Sequence, residues 1–166
     1  WQKYGQRGSW HYDKVAGSIV AFFNYQSPLC DMDIRGPIQM TMASADSVLI
    51  SENHDISLLK LKLQPEESAI PAEYQPYYLA RETPFHGLHH PNGGIKKVAI
   101  EDDPLTIGSF DLPNYDQEAP NAHWVVRAWD TGATEGGSSG SPLLDREKRV
   151  VGTLTGGSSY CSSPKG

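Results

Sequence analysis

The chain has 166 residues and a net charge of −6, with 38% hydrophobic and 20% charged residues. Disordered chains have fewer apolar and more charged residues, so this composition predicts one folded domain or two small, closely packed barrels. The sequence has neither a run of Lys and Arg nor an apolar stretch of about twenty residues, which argues against nucleic acid and membrane as partners.

Apolar runs in this sequence are short and are separated by glycine and proline, which predicts an all-β protein. Residues 1–14 show no clear period, and no structure is assigned to them. The predicted strands lie, in chain order, within residues 18–24, 37–51, 56–63, 96–101, 123–129 and 149–155. The charged run between Leu144 and Val150 predicts a hairpin loop. Segments 63–78 and 101–121, rich in proline and acidic residues, are predicted to be surface connections.

The cysteines leave three alternatives open. Cys30 and Cys161 lie far apart in the sequence, and neither belongs to a Cys-x-x-Cys pair. They could form one disulfide, remain two free thiols, or each pair with a cysteine outside the chain. Composition does not choose among these alternatives.

The segment TEGGSSGSP, residues 134–142, is the strongest chemical signal in the sequence. Glycines permit the sharp turn that exposes a hydroxyl nucleophile while backbone amides converge on the oxyanion of a tetrahedral intermediate. The alternative is a Gly/Ser surface loop, but a flexible linker lacks the strand and returning hairpin that follow here. A Gly-x-Ser-x-Gly elbow with Ser138 as nucleophile is rejected, because Pro142 and an apolar β run follow where that elbow requires a helix.

Gly-x-Ser-Gly-x-Pro followed by a returning strand resembles the nucleophile loop of trypsin-like serine endopeptidases of the chymotrypsin fold. Within that family the bacterial lysyl endopeptidases are most similar, through GSSGSP at 137–142 and GGSSYC at 156–161. The resemblance covers residues 18–162. Ser138 departs from mammalian trypsins, which have an aspartate there that pairs with a newly cleaved N-terminus, so that activation switch is expected to be absent.

This resemblance implies roles for particular residues. Ser139 would be the nucleophile, and the backbone amides of Gly137 and Ser139 would form the oxyanion hole. The substrate pocket would be lined by Thr155, Gly156 and Gly157.

Asp55 is implied as the acid that orients the catalytic histidine, because HDISLLKL at 54–61 resembles the family's Asp-Ile-x-Leu-Leu-x-Leu segment. An acidic residue before a strand is otherwise often a turn residue. The base should precede Asp55 in the chain. His54 is set aside because neighbouring residues of an extended chain point to opposite faces, and the surroundings of His11 do not resemble the family's Thr-Ala-Ala-His-Cys segment. We therefore expect the chain to be a fragment whose catalytic histidine precedes residue 1.

The resemblance implies further that Cys30 and Cys161 pair with cysteines of that missing N-terminal segment. A second histidine group, His86, His89 and His90, suggests a zinc site, since imidazole is a common zinc ligand. The favoured interpretation is structural, because His-His-Pro before a glycine turn also occurs in lysyl endopeptidases. We expect no metal and no cofactor.

Trp124 and Trp129 are predicted to be core or pocket wall. As a whole, the resemblance implies an incomplete chymotrypsin-like double Greek-key β-barrel. Residues 1–66 would form part of the first barrel, and residues 67–166 most of the second.

The implied function is that of a bacterial serine endopeptidase, which hydrolyses proteins or peptides through an acyl-enzyme. Cleavage after basic residues is a family-level expectation. Secretion or an extracellular location, with the periplasm as a variant, follows from the family and from disulfide use. The alternative is a catalytically inactive binding or structural module that keeps the trypsin-like fold.

Overall fold

The computed structural model describes residues 9–30, 34–37, 39–41, 44–51, 54–62, 82–110 and 120–164. Nearly all regular structure within them is antiparallel β-sheet, as the composition predicted, and these residues form no closed barrel. The double Greek-key barrel therefore stays a prediction. A helix, α1, spans Ser9–Ala16, and a 3-10 turn covers Pro91–Gly93. The strands are β1 (Ala21–Phe23), β2 (Gln39–Thr41), β3 (Ala45–Ser51), β4 (Ile56–Leu61), β5 (Phe85–His89), β6 (Lys97–Glu101), β7 (Thr106–Gly108), β8 (His123–Val125), β9 (Pro142–Leu144) and β10 (Val150–Thr153).

The largest sheet has the strand order β10-β9-β5-β6 and positions the candidate site. Strand β5 is central, pairing with β6 from Phe85↔Glu101 to His89↔Lys97 and with β9 at Gly87↔Leu143. Side chains of a strand alternate between faces, and β5 buries Phe85 and His89 while the residues between are less enclosed. This alternation places His89 on the interior face.

The core of this sheet region is formed by Phe85, Leu105 and Val151, against which Trp124 packs. Trp129 is also buried. The prediction that both tryptophans are core or pocket wall is confirmed.

Strands β9 and β10 form the hairpin that the charged run predicted. Asp145 is buried at its start and accepts hydrogen bonds from the backbone amides of Glu147 and Arg149, at 2.9 and 3.0 Å. The Arg149 guanidinium also contacts this carboxylate, with Nε 2.9 Å from Oδ2. Burial by itself would raise the pKa of Asp145, but the Arg149 amide and guanidinium hold that pKa below its ordinary value.

The remaining described strands form three two-stranded sheets, β1-β2, β3-β4 and β7-β8. Helix α1 packs on β3, where the Ser47 hydroxyl donates a hydrogen bond to Asp13. This helix and β7 were not predicted, because both are too short to produce a clear hydrophobic period. The prediction of a connection throughout 101–121 is wrong at β7, and segment 63–78 lies outside the described residues.

Cys30 and Cys161 are both exposed with free thiols, so the single-disulfide alternative is not formed. In the part of the chain that the structure describes, no helix has the length and apolar character needed to cross a bilayer.

Candidate active site

The 134–141 loop, which precedes β9, contains two successive tight turns. The Ser138 amide donates to the Glu135 carbonyl at 3.0 Å, and the Ser141 amide donates to the Ser138 carbonyl at 3.1 Å. Gly137 and Gly140 have φ values of +90° and +79°, a conformation that other residues adopt only with strain. The glycines are therefore required by the backbone, as the sequence predicted.

The two adjacent serines of this loop have opposite environments. Ser139 is exposed, whereas Ser138 is 1% exposed and its Oγ lies 3.0 Å from Nδ1 of His89. Of the pair, only Ser139 is accessible to a substrate. The strand that follows, β9, also occupies the place where the alternative elbow requires a helix.

Two backbone amides of the loop are available to an external acceptor. The amides of Ser138, Gly140 and Ser141 donate to protein carbonyls, but those of Gly137 and Ser139 donate to none of the described residues. An oxyanion hole requires such unpaired donors, held in place before the substrate binds.

Neighbouring segments hold this loop through hydrogen bonds to its first half. The Asn92 amide donates to the Gly136 carbonyl at 2.7 Å, and the Asn92 side-chain nitrogen donates to Glu135 Oε2 at 2.5 Å. The other oxygen of Glu135 accepts from the Cys161 amide at 2.9 Å. Hydrogen bonds from Cys161 and then from Asn92 lower the pKa of Glu135, so this carboxylate is an ionised anchor.

The histidines of the suspected metal group have three different partners. His89 contacts Ser138, His86 lies 3.2 Å from Nζ of Lys148, and His90 Nδ1 is 3.0 Å from the Gly94 carbonyl oxygen. Their imidazoles therefore do not converge. Within the described ranges, no three His, Cys, Asp or Glu side chains form a group that could hold a metal ion.

A cavity of about 460 Å³ lies beside the loop, and it brings together the neighbours of the predicted catalytic residues. His54 and Ile56, which flank Asp55 in the chain, line this cavity together with Ser141, two residues beyond Ser139. Its walls also include Trp124, Trp129 and the three predicted pocket residues Thr155, Gly156 and Gly157. Asp55 and Ser139 themselves are exposed next to these lining residues.

Asp55 has a φ of +47° in the turn before β4. His54 and Asp55 are therefore not in an extended strand, and the argument that set His54 aside is wrong in its premise. His54 Nδ1 lies 2.8 Å from the Ser51 hydroxyl oxygen. His11, the other upstream histidine, is half-buried in α1.

The sequence interpretation missed the contact between His89 and Ser138. The signal was present, since FHGLH alternates in a way that turns His89 inward, but His-His-Pro was interpreted only as a strand and turn. The anchoring roles of Asn92 and Glu135 left no recognisable pattern, because both depend on residues distant in the chain.

Fold and site together define an antiparallel β domain that presents an exposed serine between glycine turns, with unpaired amides and a cavity beside it. Residues 10–166 match the family described as "Lysyl endopeptidase, C-terminal domain", and the chain belongs to this family. It is similar to a lysyl endopeptidase of Pseudomonas aeruginosa, with 27% identity over 157 residues, which are 90% of this chain and 32% of that relative. The chain thus spans about a third of the length of the curated relative it matches. The relation to lysyl endopeptidases that the motifs predicted is confirmed.

Proposed function

We propose that this chain carries the nucleophile of a serine endopeptidase and that Ser139 is the nucleophile. The observation that carries the proposal is the exposed Ser139 between two positive-φ glycines, next to unpaired amides, in a member of the lysyl endopeptidase family.

In the proposed reaction, Ser139 Oγ attacks the carbonyl carbon of a peptide bond and its proton passes to a histidine base. The oxyanion that forms accepts hydrogen bonds from the amides of Gly137 and Ser139. Collapse of this intermediate breaks the C–N bond, and the amine leaves with the proton from the histidine. Water then hydrolyses the acyl-enzyme by the same route, while Asp55 orients the imidazole and stabilises its charged form.

The base in this proposal is a histidine from a segment of the same protein that precedes Trp1. The greater length of the relative supports such a segment, and so does the β3–β4 hairpin, whose large apolar side chains are unusually exposed. Val48, Leu49 and Leu58 are each more than half exposed. We propose that the preceding segment covers them and completes the first barrel, with residues 1–66 in that barrel and 67–166 in the second.

The proposed substrates are proteins or peptides, and the proposed location is outside the cytoplasm. For cleavage specificity, Thr155, Gly156 and Gly157 are the proposed pocket residues. None of the described residues that line the cavity is acidic. Recognition of a basic side chain would therefore require a carboxylate from another part of the protein.

The test is labelling with a fluorophosphonate probe, which reacts with activated serine hydroxyls and is located by intact mass and peptide mapping. Both this chain and a longer version with the preceding residues are labelled, with Ser139→Ala as the variant and Ser162→Ala, another exposed serine, as the matched control.

We expect the longer protein to be labelled at Ser139, and we expect Ser162→Ala to be labelled equally. Labelling of this chain by itself would refute the upstream base and make His11 or His54 the leading candidate. Absence of labelling in both proteins would refute the enzyme and favour an inactive module.

A further inference from the structure

His89 is a fully enclosed polar residue that the proposed chemistry does not use. It is 1% exposed, on the interior face of β5, and its Nδ1 contacts Ser138 Oγ at 3.0 Å. The same hydroxyl oxygen accepts a weaker hydrogen bond from the Glu135 amide at 3.3 Å. Buried polar groups are normally satisfied in this way, and each loss is costly.

The second ring nitrogen of His89 defines its charge state. Nε2 is buried and has no hydrogen-bond partner among the described residues. An imidazolium has two N–H donors, so protonation would leave one of them buried without an acceptor. Burial, and then the neighbouring His90, lower the pKa of His89, and only the Glu135 charge opposes them. His89 is therefore neutral near pH 7.

The contact acts on the part of the loop that matters for the proposed chemistry. Ser138 lies between Gly137 and Ser139, the residues whose amides are unpaired. Fixing its side chain inward restrains the peptide planes on either side of it.

The turn that follows β5 adds a second restraint. Asn92 donates to the carbonyl of Gly136, and a Cβ on Gly137 would lie 3.2 Å from the Asn92 amide nitrogen. Strand β5 and its turn therefore contact the loop at three consecutive residues.

We propose that His89 is a positioning residue, whose buried contact with Ser138 keeps the amides of Gly137 and Ser139 turned towards the carbonyl oxygen of the substrate. This role rests on the proposed function of Ser139. It gives the loop an internal anchor in a chain that has a serine at position 138, where the N-terminus-pairing aspartate of mammalian trypsins is absent.

The test uses the version of the protein that labels at Ser139. His89→Leu and Ser138→Ala each remove the contact, and His89→Asn keeps a polar atom near the position of Nδ1 without a titrating ring. His86→Asn, on the other face of β5, is the matched control. Labelling rates are measured at a pH above 6.5, with every variant shown to be folded by its melting transition.

We expect His89→Leu and Ser138→Ala each to slow labelling about 10- to 100-fold, approaching the loss of one oxyanion donor. The double variant should lose no more than the worse single variant, because both remove one contact. His89→Asn should stay within about threefold of the parent, as a partial replacement of the hydrogen bond. A structural role by itself would lower the melting temperature without this pattern.

A second measurement does not depend on activity. In ¹H–¹⁵N spectra the amides of Gly137 and Ser139 should shift with the protonation of His89, and this response should vanish in His89→Asn. His90 and Glu135, the other titratable groups near the ring, are followed in the same titration.

The outcomes separate the two proposals. If Ser139→Ala abolishes labelling but His89→Leu labels at the parent rate, the positioning role is wrong and the nucleophile stands. If the parent protein is never labelled, the proposed function fails. The positioning role is then decided by the spectra, in which a shared titration supports it and independent amides refute it.

Discussion

Replacing Gly137 by alanine should disable the loop, and the structure allows the size of the effect to be worked out. The φ of +90° at this position costs a non-glycine residue about 1–2 kcal/mol. The new Cβ would also lie 3.2 Å from the Asn92 nitrogen and 3.3 Å from the Gly93 nitrogen. Because these neighbours are backbone atoms, they yield less readily than a side chain, and such overpacking adds about 1–3 kcal/mol.

The loop has a cheaper alternative to bearing this strain. Releasing the Asn92–Gly136 and His89–Ser138 hydrogen bonds would cost about 1 kcal/mol each. The strain is therefore limited to about 2 kcal/mol, and the loop moves. At about 2–4 °C per kcal/mol for a chain of this size, the melting temperature should fall by about 4–8 °C.

Movement of the loop displaces the Gly137 amide, and losing one oxyanion donor costs about 10²–10³ in rate. We expect Gly137→Ala to slow fluorophosphonate labelling at Ser139 by about 100-fold. Gly136→Ala is the matched control, because Gly136 has no positive φ and its Cβ would meet only the Asn92 Oδ1 at 4.0 Å. Equal labelling rates for Gly137→Ala and Gly136→Ala would refute this reasoning.

Three further predictions concern stability. Asp145→Ala should cost about 3–5 kcal/mol, because it leaves a buried guanidinium and two amides without their acceptor; urea unfolding beside the exposed control Glu147→Ala measures this, and equal midpoints would contradict it. Glu101→Gln should raise the melting temperature at pH 7, because burial and then contacts with neighbouring carboxylates raise the pKa of Glu101 and the folded state disfavours its charge; an unchanged difference from the parent at pH 4 and pH 7 would argue against it. Burial lowers the pKa of His89 and His86, so the unfolded chain binds these protons first; stability should be complete above pH 6.5 and fall as the pH drops towards the lowered values. His89→Asn should reduce this slope in pH-dependent unfolding, and a slope equal to that of the parent would exclude His89 as its source.

Some of the fold and site could be predicted because the signal is local. The charged run before Val150 can only be a hairpin loop between two apolar strands, and glycines at 137 and 140 permit the backbone that the loop adopts. Neither inference requires knowledge of what lies nearby in space.

Other features could not be predicted because the signal is too weak or its premise depended on conformation. Strand β7 contains three residues and is defined by pairing with β8, not by its own composition. The exclusion of His54 assumed an extended backbone, whereas Asp55 adopts a positive φ in a turn.

The sequence by itself determined the β class, the glycine–serine loop and the relation to lysyl endopeptidases, because strand propensity, turn residues and motifs act over neighbouring positions. Only the tertiary structure decided that Ser138 is buried and Ser139 exposed, since that depends on His89, 49 positions away in the chain. It also decided that the neighbours of Asp55 share a cavity with residues 155–157. Packing between distant segments sets which polar groups lose water, and that choice is not encoded in any short stretch of sequence.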